Sequence, residues 1–152
     1  MDDDHASFRE LVLKLERRFG RSVAPFQLPI RENEKFVGYV NVVKMGGRRF
    51  TNLSDYEECE IPEYSKKNLG IARDALLEAV AETSEEYMER YFSGEEFTLD
   101  EIQGALREHV IDGSIVPVLM GSGINCQGFK TLLQVIDRYL PTPDKFECVG
   151  VD

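Results

Sequence analysis

The chain has 152 residues and carries 18 Lys+Arg against 28 Asp+Glu, a formal charge of −10. Its hydrophobic content of 42%, with nine Phe and six Tyr, fills one core and excludes wholesale disorder. The acidic balance repels phosphate backbones and argues against nucleic-acid binding over a broad face. Cys59, Cys126 and Cys148 are odd in number and form no C-x-x-C pair, so neither a disulfide framework nor a zinc site is indicated. The opening Met-Asp-Asp-Asp-His is not a secretion signal, and no apolar run reaches the roughly 18 residues that span a bilayer. A soluble, cytoplasmic chain of one domain, with room for a subdomain, is expected.

In chain order, Phe8, Leu11, Val12, Leu15 and Phe19 recur at helical spacing, and Gly20 follows where a C-terminal cap belongs, predicting a helix over 6–19. Residues 22–30 mix β-formers with Pro25 and Pro29, which confines them to an irregular or edge strand. A cleaner strand is predicted over 36–44, then a tight turn at 45–48 and a third strand over 49–52. Residues 52–62 carry Asp55, Glu57, Glu58 and Glu60 without periodicity and read as an acidic loop. Leu69, Ala72, Leu76, Ala79 and Val80 mark a helix from about residue 63, with a restart at Ser84 and an end at Gly94. Thr98-Leu-Asp-Glu101 has the form of a capping box, opening a helix that ends near Asp112-Gly113. Ile115 to Met120 is a continuous apolar run of the kind covered on both faces of a sheet. After the glycine-rich 121–128, a last helix places Phe129, Leu132, Leu133, Ile136 and Leu140 on one face before Pro141 and Pro143. Strand, glycine-rich loop and helix make half of a wound α/β unit.

Local chemistry motifs mostly fail on spacing. A phosphate loop needs Gly-Lys-Ser/Thr contiguous, and Phe129 separates Gly128 from Lys130-Thr131. The dinucleotide pattern fails because four residues, not two, separate Gly123 from Gly128. Cys126 with His109 could be drawn as a thiol and its base, but His109 continues a core stripe without an acidic orienter at a telling spacing. His5 among Asp2, Asp3 and Asp4 is better read as helix-start capping than as a metal site. The acidic stretch Glu57, Glu58, Glu60, Glu63, Glu78, Glu82, Glu85, Glu86 and Glu89 is a solvated face or a partner surface.

The segments Phe19-Gly-Arg-Ser-Val-Ala-Pro-Phe-Gln-Leu-Pro-Ile30, Ala75-Leu-Leu-Glu-Ala-Val-Ala-Glu-Thr-Ser-Glu-Glu-Tyr-Met-Glu89, Gly94-Glu-Glu-Phe-Thr98, Ile115-Val-Pro-Val-Leu-Met-Gly-Ser122 and Tyr139-Leu-Pro-Thr-Pro143 are together similar to bacterial elongation factor G, the translocating GTPase of the ribosome. The collinear likeness runs through nearly all of 2–143. It implies an α/β nucleotide-binding domain with an α+β insert: a small mixed or antiparallel sheet with three or more helices, placed before the last strand and helix of a P-loop GTPase domain. Residues 1–20 would hold the helix after the Asn-Lys-x-Asp motif, 21–113 the insert, 114–141 the final strand, guanine-contacting loop and helix, and 142–152 a linker to the next domain.

By the same resemblance, Met1-Asp2 ends the specificity motif, with Asp2 accepting hydrogen bonds from guanine N1 and the exocyclic amine. Ser122, Gly123 and Ile124 match the final nucleotide motif, Gly123 standing where the family usually has alanine. Asn125 to Gly128 departs from the family's Lys-Asn-Lys-Gly. The phosphate loop, switches and magnesium ligands would precede residue 1, so GTP and Mg belong to a full-length parent GTPase. The isolated chain is expected neither to bind GTP measurably nor to hydrolyse it. The ribosome and its large-subunit stalk protein are the implied partners, the stalk meeting a helix over 65–83 with Arg73, Asp74, Glu78 and Glu82 on or near its polar face.

A ribosomal-protection GTPase of tetracycline-resistance type is the nearest rival reading, and a stand-alone protein-interaction module a rival of another class. Without parallel neighbours, the strand at 115–120 is expected to be displaced, covered by the chain's own helices, or paired with a second copy.

Overall fold

The computed structural model describes residues 1, 7–52 and 55–142. Helix α1 spans Phe8–Phe19, its start fixed by Ser7, whose hydroxyl accepts from the Glu10 amide, and its end by Gly20 at φ 76°. A single 3-10 turn, Gly20–Ser22, leads into β1 (Val23–Pro25) and, one residue later, β2 (Gln27–Glu32). The proline-bearing segment is thus two strands in two sheets. Phe26 is the switch: its amide donates to Val118 O in one sheet (3.1 Å), while its carbonyl accepts from Val42 N beside the other (2.9 Å).

The larger sheet is an antiparallel meander in the order β2-β3-β4-β5, with β3 at Lys35–Asn41, β4 at Gly46–Phe50 and β5 at Tyr56–Cys59. Pro29 lies in β2, on the edge, where a missing ladder donor is tolerated. The β2–β3 turn uses Asn33 and Glu34 at φ 48° and 66°, the left-handed pair that suits a two-residue hairpin. Strand β5 corrects the expected acidic loop. Glu57 and Glu58 stand opposite Arg49 and Arg48, so the charges that broke the apolar pattern are cross-strand partners of basic side chains. The preceding turn begins at residue 42 and is held by Lys44 N donating to Asn41 Oδ1 (2.7 Å), which starts β4 earlier than the expected residue 49.

Helices α2 (Glu63–Ala81), α3 (Glu85–Ser93) and α4 (Leu99–Ile111) follow. Ser84 caps α3 and left-handed Gly94 closes it. Thr98 and Glu101 form the reciprocal capping box of α4. Leu69, Leu76 and Val80 of α2 share one buried cluster with Ile102 and Leu106 of α4 and with Leu28, Ile30 and Val40 of the sheet. Arg90 ties α3 to α4 through Glu101 (2.7 Å) and lies over the Phe97 ring.

Strand β6 (Val116–Val118) pairs in parallel with β1, Val23 opposite Val116 and Pro25 opposite Val118. Two expectations are corrected here: the strand has a parallel neighbour within the chain, and it is not covered on both faces, since Val116 is 45% exposed. Helix α5 (Phe129–Tyr139) holds the largest departure from expectation. Its apolar stripe exists, but Phe129, Leu132, Leu133, Ile136 and Leu140 are all exposed, and the buried side is Thr131 and Tyr139, with Val135 packed on the core. Tyr139 stacks edge-on against Phe26 at 5.5 Å.

Candidate functional site

Tyr39 and Val40 are adjacent in β3 and so point to opposite faces of the sheet. Val40 faces the helical cluster; Tyr39, fully buried, faces α5. Its hydroxyl meets Thr131 Oγ1 at 2.5 Å and accepts from Arg48 Nη1 at 3.0 Å. The Arg48 guanidinium lies 4.3 Å over the Tyr56 ring, Tyr56 Oη donates to Gln134 Oε1 (3.1 Å), and Lys130 pairs with Asp55 (2.5 Å). The Lys130 ammonium holds the Asp55 carboxyl below its ordinary range. The first two turns of α5 are thereby latched to the sheet, through Tyr39 in its interior and through Asp55 and Tyr56 at its outer edge.

The segment between β6 and α5 is a closed turn. Ser122 and Gln127 exchange both backbone hydrogen bonds (3.0 and 3.1 Å), and the buried Ser122 hydroxyl accepts from Asn125 N (3.1 Å). A Cβ on Gly121 would lie 2.6 Å from Gln127 O, and one on Gly128, at φ 87°, would lie 2.8 Å from Met120 O, so glycine is required where the two ends of the turn cross. The amides of Ser122, Asn125 and Gln127 are engaged within the turn, while those of Gly123 and Ile124 make no hydrogen bond within it. Ile124 stands at the tip, 84% exposed. Nothing lies within 4 Å of a Cβ placed on Gly123.

The Met1 amino nitrogen donates to Gly121 O at 3.1 Å, bringing together residues 120 apart in sequence. Asp2, the residue that follows, lies outside the described residues, as do His5, Asp3, Asp4 and Cys148. At the base of the turn, Gln27 Oε1 accepts from Met120 N at 2.9 Å, and Gln27 is only 1% exposed. Sequence reasoning passed over this residue. The available signal was a lone carboxamide inside an apolar, proline-flanked run.

Asp74 and Glu78 are exposed on α2 and Glu82 at its C-cap, and Ile71 and Tyr64 of the same helix are 61% and 59% exposed. Arg73 lies apart from them, half-buried, donating to the carbonyls of Val42 (3.2 Å) and Val43 (2.8 Å) in the turn after β3; burial lowers its pKa. His109 does have an acidic neighbour one helical turn on, Asp112, whose carboxylate lies 3.1 Å from Nδ1, correcting the expectation of no acidic orienter at a telling spacing. Cys126 is exposed, with its thiol directed at Gly123 O (3.9 Å). Among the described residues no group of three His, Cys, Asp or Glu is arranged to hold a metal ion, and no helix is long and apolar enough to cross a membrane.

No family model matches the chain. A crystal structure of a protein from Thermus thermophilus is similar to it at 31% identity with a TM-score of 0.83, over 94% of this chain and 21% of that one. The two share a mixed α/β fold across this length, and the chain spans about a fifth of the protein it matches.

Proposed function

We propose that the chain is the closing part of the nucleotide-binding domain of a translation GTPase of the elongation factor G type, carrying that domain's insert. In this reading 1–20 and 114–141 belong to the P-loop GTPase domain, 21–113 is the insert, and 142–152 leads onward. The observation that carries the proposal is the Met1 contact with Gly121, which sets the residue preceding Asp2 against the turn that would receive guanine. Asp2 would accept from guanine N1 and N2, and the amides of Gly123 and Ile124, unbonded within the turn, would donate to O6, the pairing adenine cannot offer.

Further support comes from what the fold leaves exposed. The stripe on α5 and the second edge of β6 are the surfaces a larger parallel sheet would cover. The turn suits a base but not phosphates or magnesium, because no contiguous Gly-Lys-Ser follows it. GTP with Mg would therefore be bound and hydrolysed by a cytoplasmic, full-length parent driving ribosomal translocation, and not by these residues alone. Asp74, Glu78 and Glu82 on α2 would meet the ribosomal stalk protein, with Arg73 bracing the helix they stand on.

The test is Asp2→Asn in the longer protein. Loss of guanine nucleotide affinity by roughly a hundredfold, with a gain for the xanthine nucleotide whose O2 accepts the new amide, is expected. Unchanged GTP binding would overturn the proposal, as would micromolar GTP affinity of the isolated chain by calorimetry.

A further inference from the structure

Backbone amides just after a strand are normally satisfied by the neighbouring strand. Beyond β6 the chain leaves the ladder: Val118 O accepts from Phe26 N, and no backbone acceptor follows for Met120, which is 8% exposed. A buried amide of this kind requires a partner. It finds one 93 residues away, in the side chain of Gln27. Gln27 is the first residue of β2, paired with Asn41 of β3, so its backbone is fixed by the four-stranded sheet. Its carboxamide reaches out of that sheet to the last residue before Gly121.

We infer that Gln27 is a positioning residue for the turn 120–128, setting where the amides of Gly123 and Ile124 stand relative to the four-stranded sheet. The far end of the turn is fixed independently, through Thr131 and the Tyr39 hydroxyl. Both ends thus refer to the same sheet. Met120 O also sits against Gly128, so a shift at Met120 passes directly to the residue that opens α5. The effect on nucleotide retention rests on the guanine-loop reading; the positioning of the turn does not.

Backbone amide exchange in the 152-residue chain tests it. Gln27→Met keeps the length and removes the acceptor; Gln27→Asn keeps the amide but falls one methylene short. In both, exchange at 120–128 is expected to accelerate roughly ten- to a hundredfold, while the amides of β3, β4 and α2 keep their protection. Gln27→Glu, which retains an acceptor oxygen, is expected to restore protection at Met120. Acceleration spread evenly over the chain, or none at Met120, would overturn the inference. In the longer protein, faster GDP release from Gln27→Asn is expected. If the turn loosens as described and GDP release is unchanged, the guanine-loop reading fails while the role of Gln27 stands.

Discussion

The latch between α5 and the sheet makes a quantitative prediction through Tyr39 and Thr131. Arg48 can only donate, so at 3.0 Å it uses an acceptor site of the Tyr39 oxygen, and on that ground we assign the tyrosine proton to Thr131 Oγ1 at 2.5 Å. Thr131→Val preserves the branched shape but leaves that proton without an acceptor at a position with no solvent access, a cost of roughly 1–3 kcal/mol. Tyr39→Phe is milder, about 1 kcal/mol, because the threonine hydroxyl can turn to the carbonyl one helical turn back and Arg48 keeps the Tyr56 ring. The double variant leaves no orphaned hydroxyl and should cost little more than Tyr39→Phe alone. The cycle then closes with a coupling of about 1–2 kcal/mol, the double being more stable than the sum of the singles. Urea unfolding followed by circular dichroism, with the four midpoints compared at a common slope, measures this. Additivity to within about 0.3 kcal/mol would refute the assigned proton direction and the latch with it.

Glu34, at φ 66° in the β2–β3 turn, occupies a conformation that glycine adopts freely, so Glu34→Gly, which creates an Asn-Gly turn, should raise the urea midpoint by an amount equivalent to about 0.5–1 kcal/mol; a lower midpoint would contradict the turn assignment. The Glu101 carboxyl is held down at about 2, first by Arg90 and then by the Thr98 amide and hydroxyl. Its folded value is depressed, so the stability it contributes is present above the ordinary value of 4.5 and is lost as pH falls from there toward about 2. Glu101→Gln should flatten the thermal midpoint across that window, and an unchanged acid limb would show that the carboxylate is not the titrating group. Leu133→Lys and Ile136→Lys on the exposed stripe should leave the isolated chain's stability within about 0.5 kcal/mol and reduce its self-association in sedimentation; a large loss of stability would mean the stripe is packed after all.

What could be read from the sequence was what neighbouring residues decide. Ser84, Gly94 and the Thr98–Glu101 box fix helix ends through contacts a few residues apart, and each stands where its pattern puts it. Strand β5 was hidden because Tyr56-Glu-Glu-Cys59 makes sense only against Arg48 and Arg49, on a strand folded alongside it. The parallel pairing of β1 with β6 joins residues more than 90 apart and leaves no local trace. Periodicity correctly gave α5 a stripe at 129, 132, 133, 136 and 140, but period alone cannot say which side meets the protein. Here a threonine and a tyrosine take the buried side because each has a specific partner there, the Tyr39 hydroxyl and the Phe26 ring.

The same distinction explains why the turn at 121–128 carries no standard phosphate-loop or dinucleotide spelling and is nevertheless closely built. Its shape is imposed from outside: Gln27 holds the entry, Thr131 and Lys130 hold the exit, and all three contacts lead to the antiparallel sheet. Within the turn the glycine crossing, the bridge between Ser122 and Gln127 and the Ser122 hydroxyl on Asn125 N close it. Its tip residues are then free of packing demands, as the exposed Ile124 and the open space around Gly123 indicate. An exposed tip on a base fixed by a separate sheet is the arrangement in which movement of that sheet would shift the Gly123 and Ile124 amides together with the base. The positions that control such a movement would be Gln27 and Tyr39, neither of which lies in the turn.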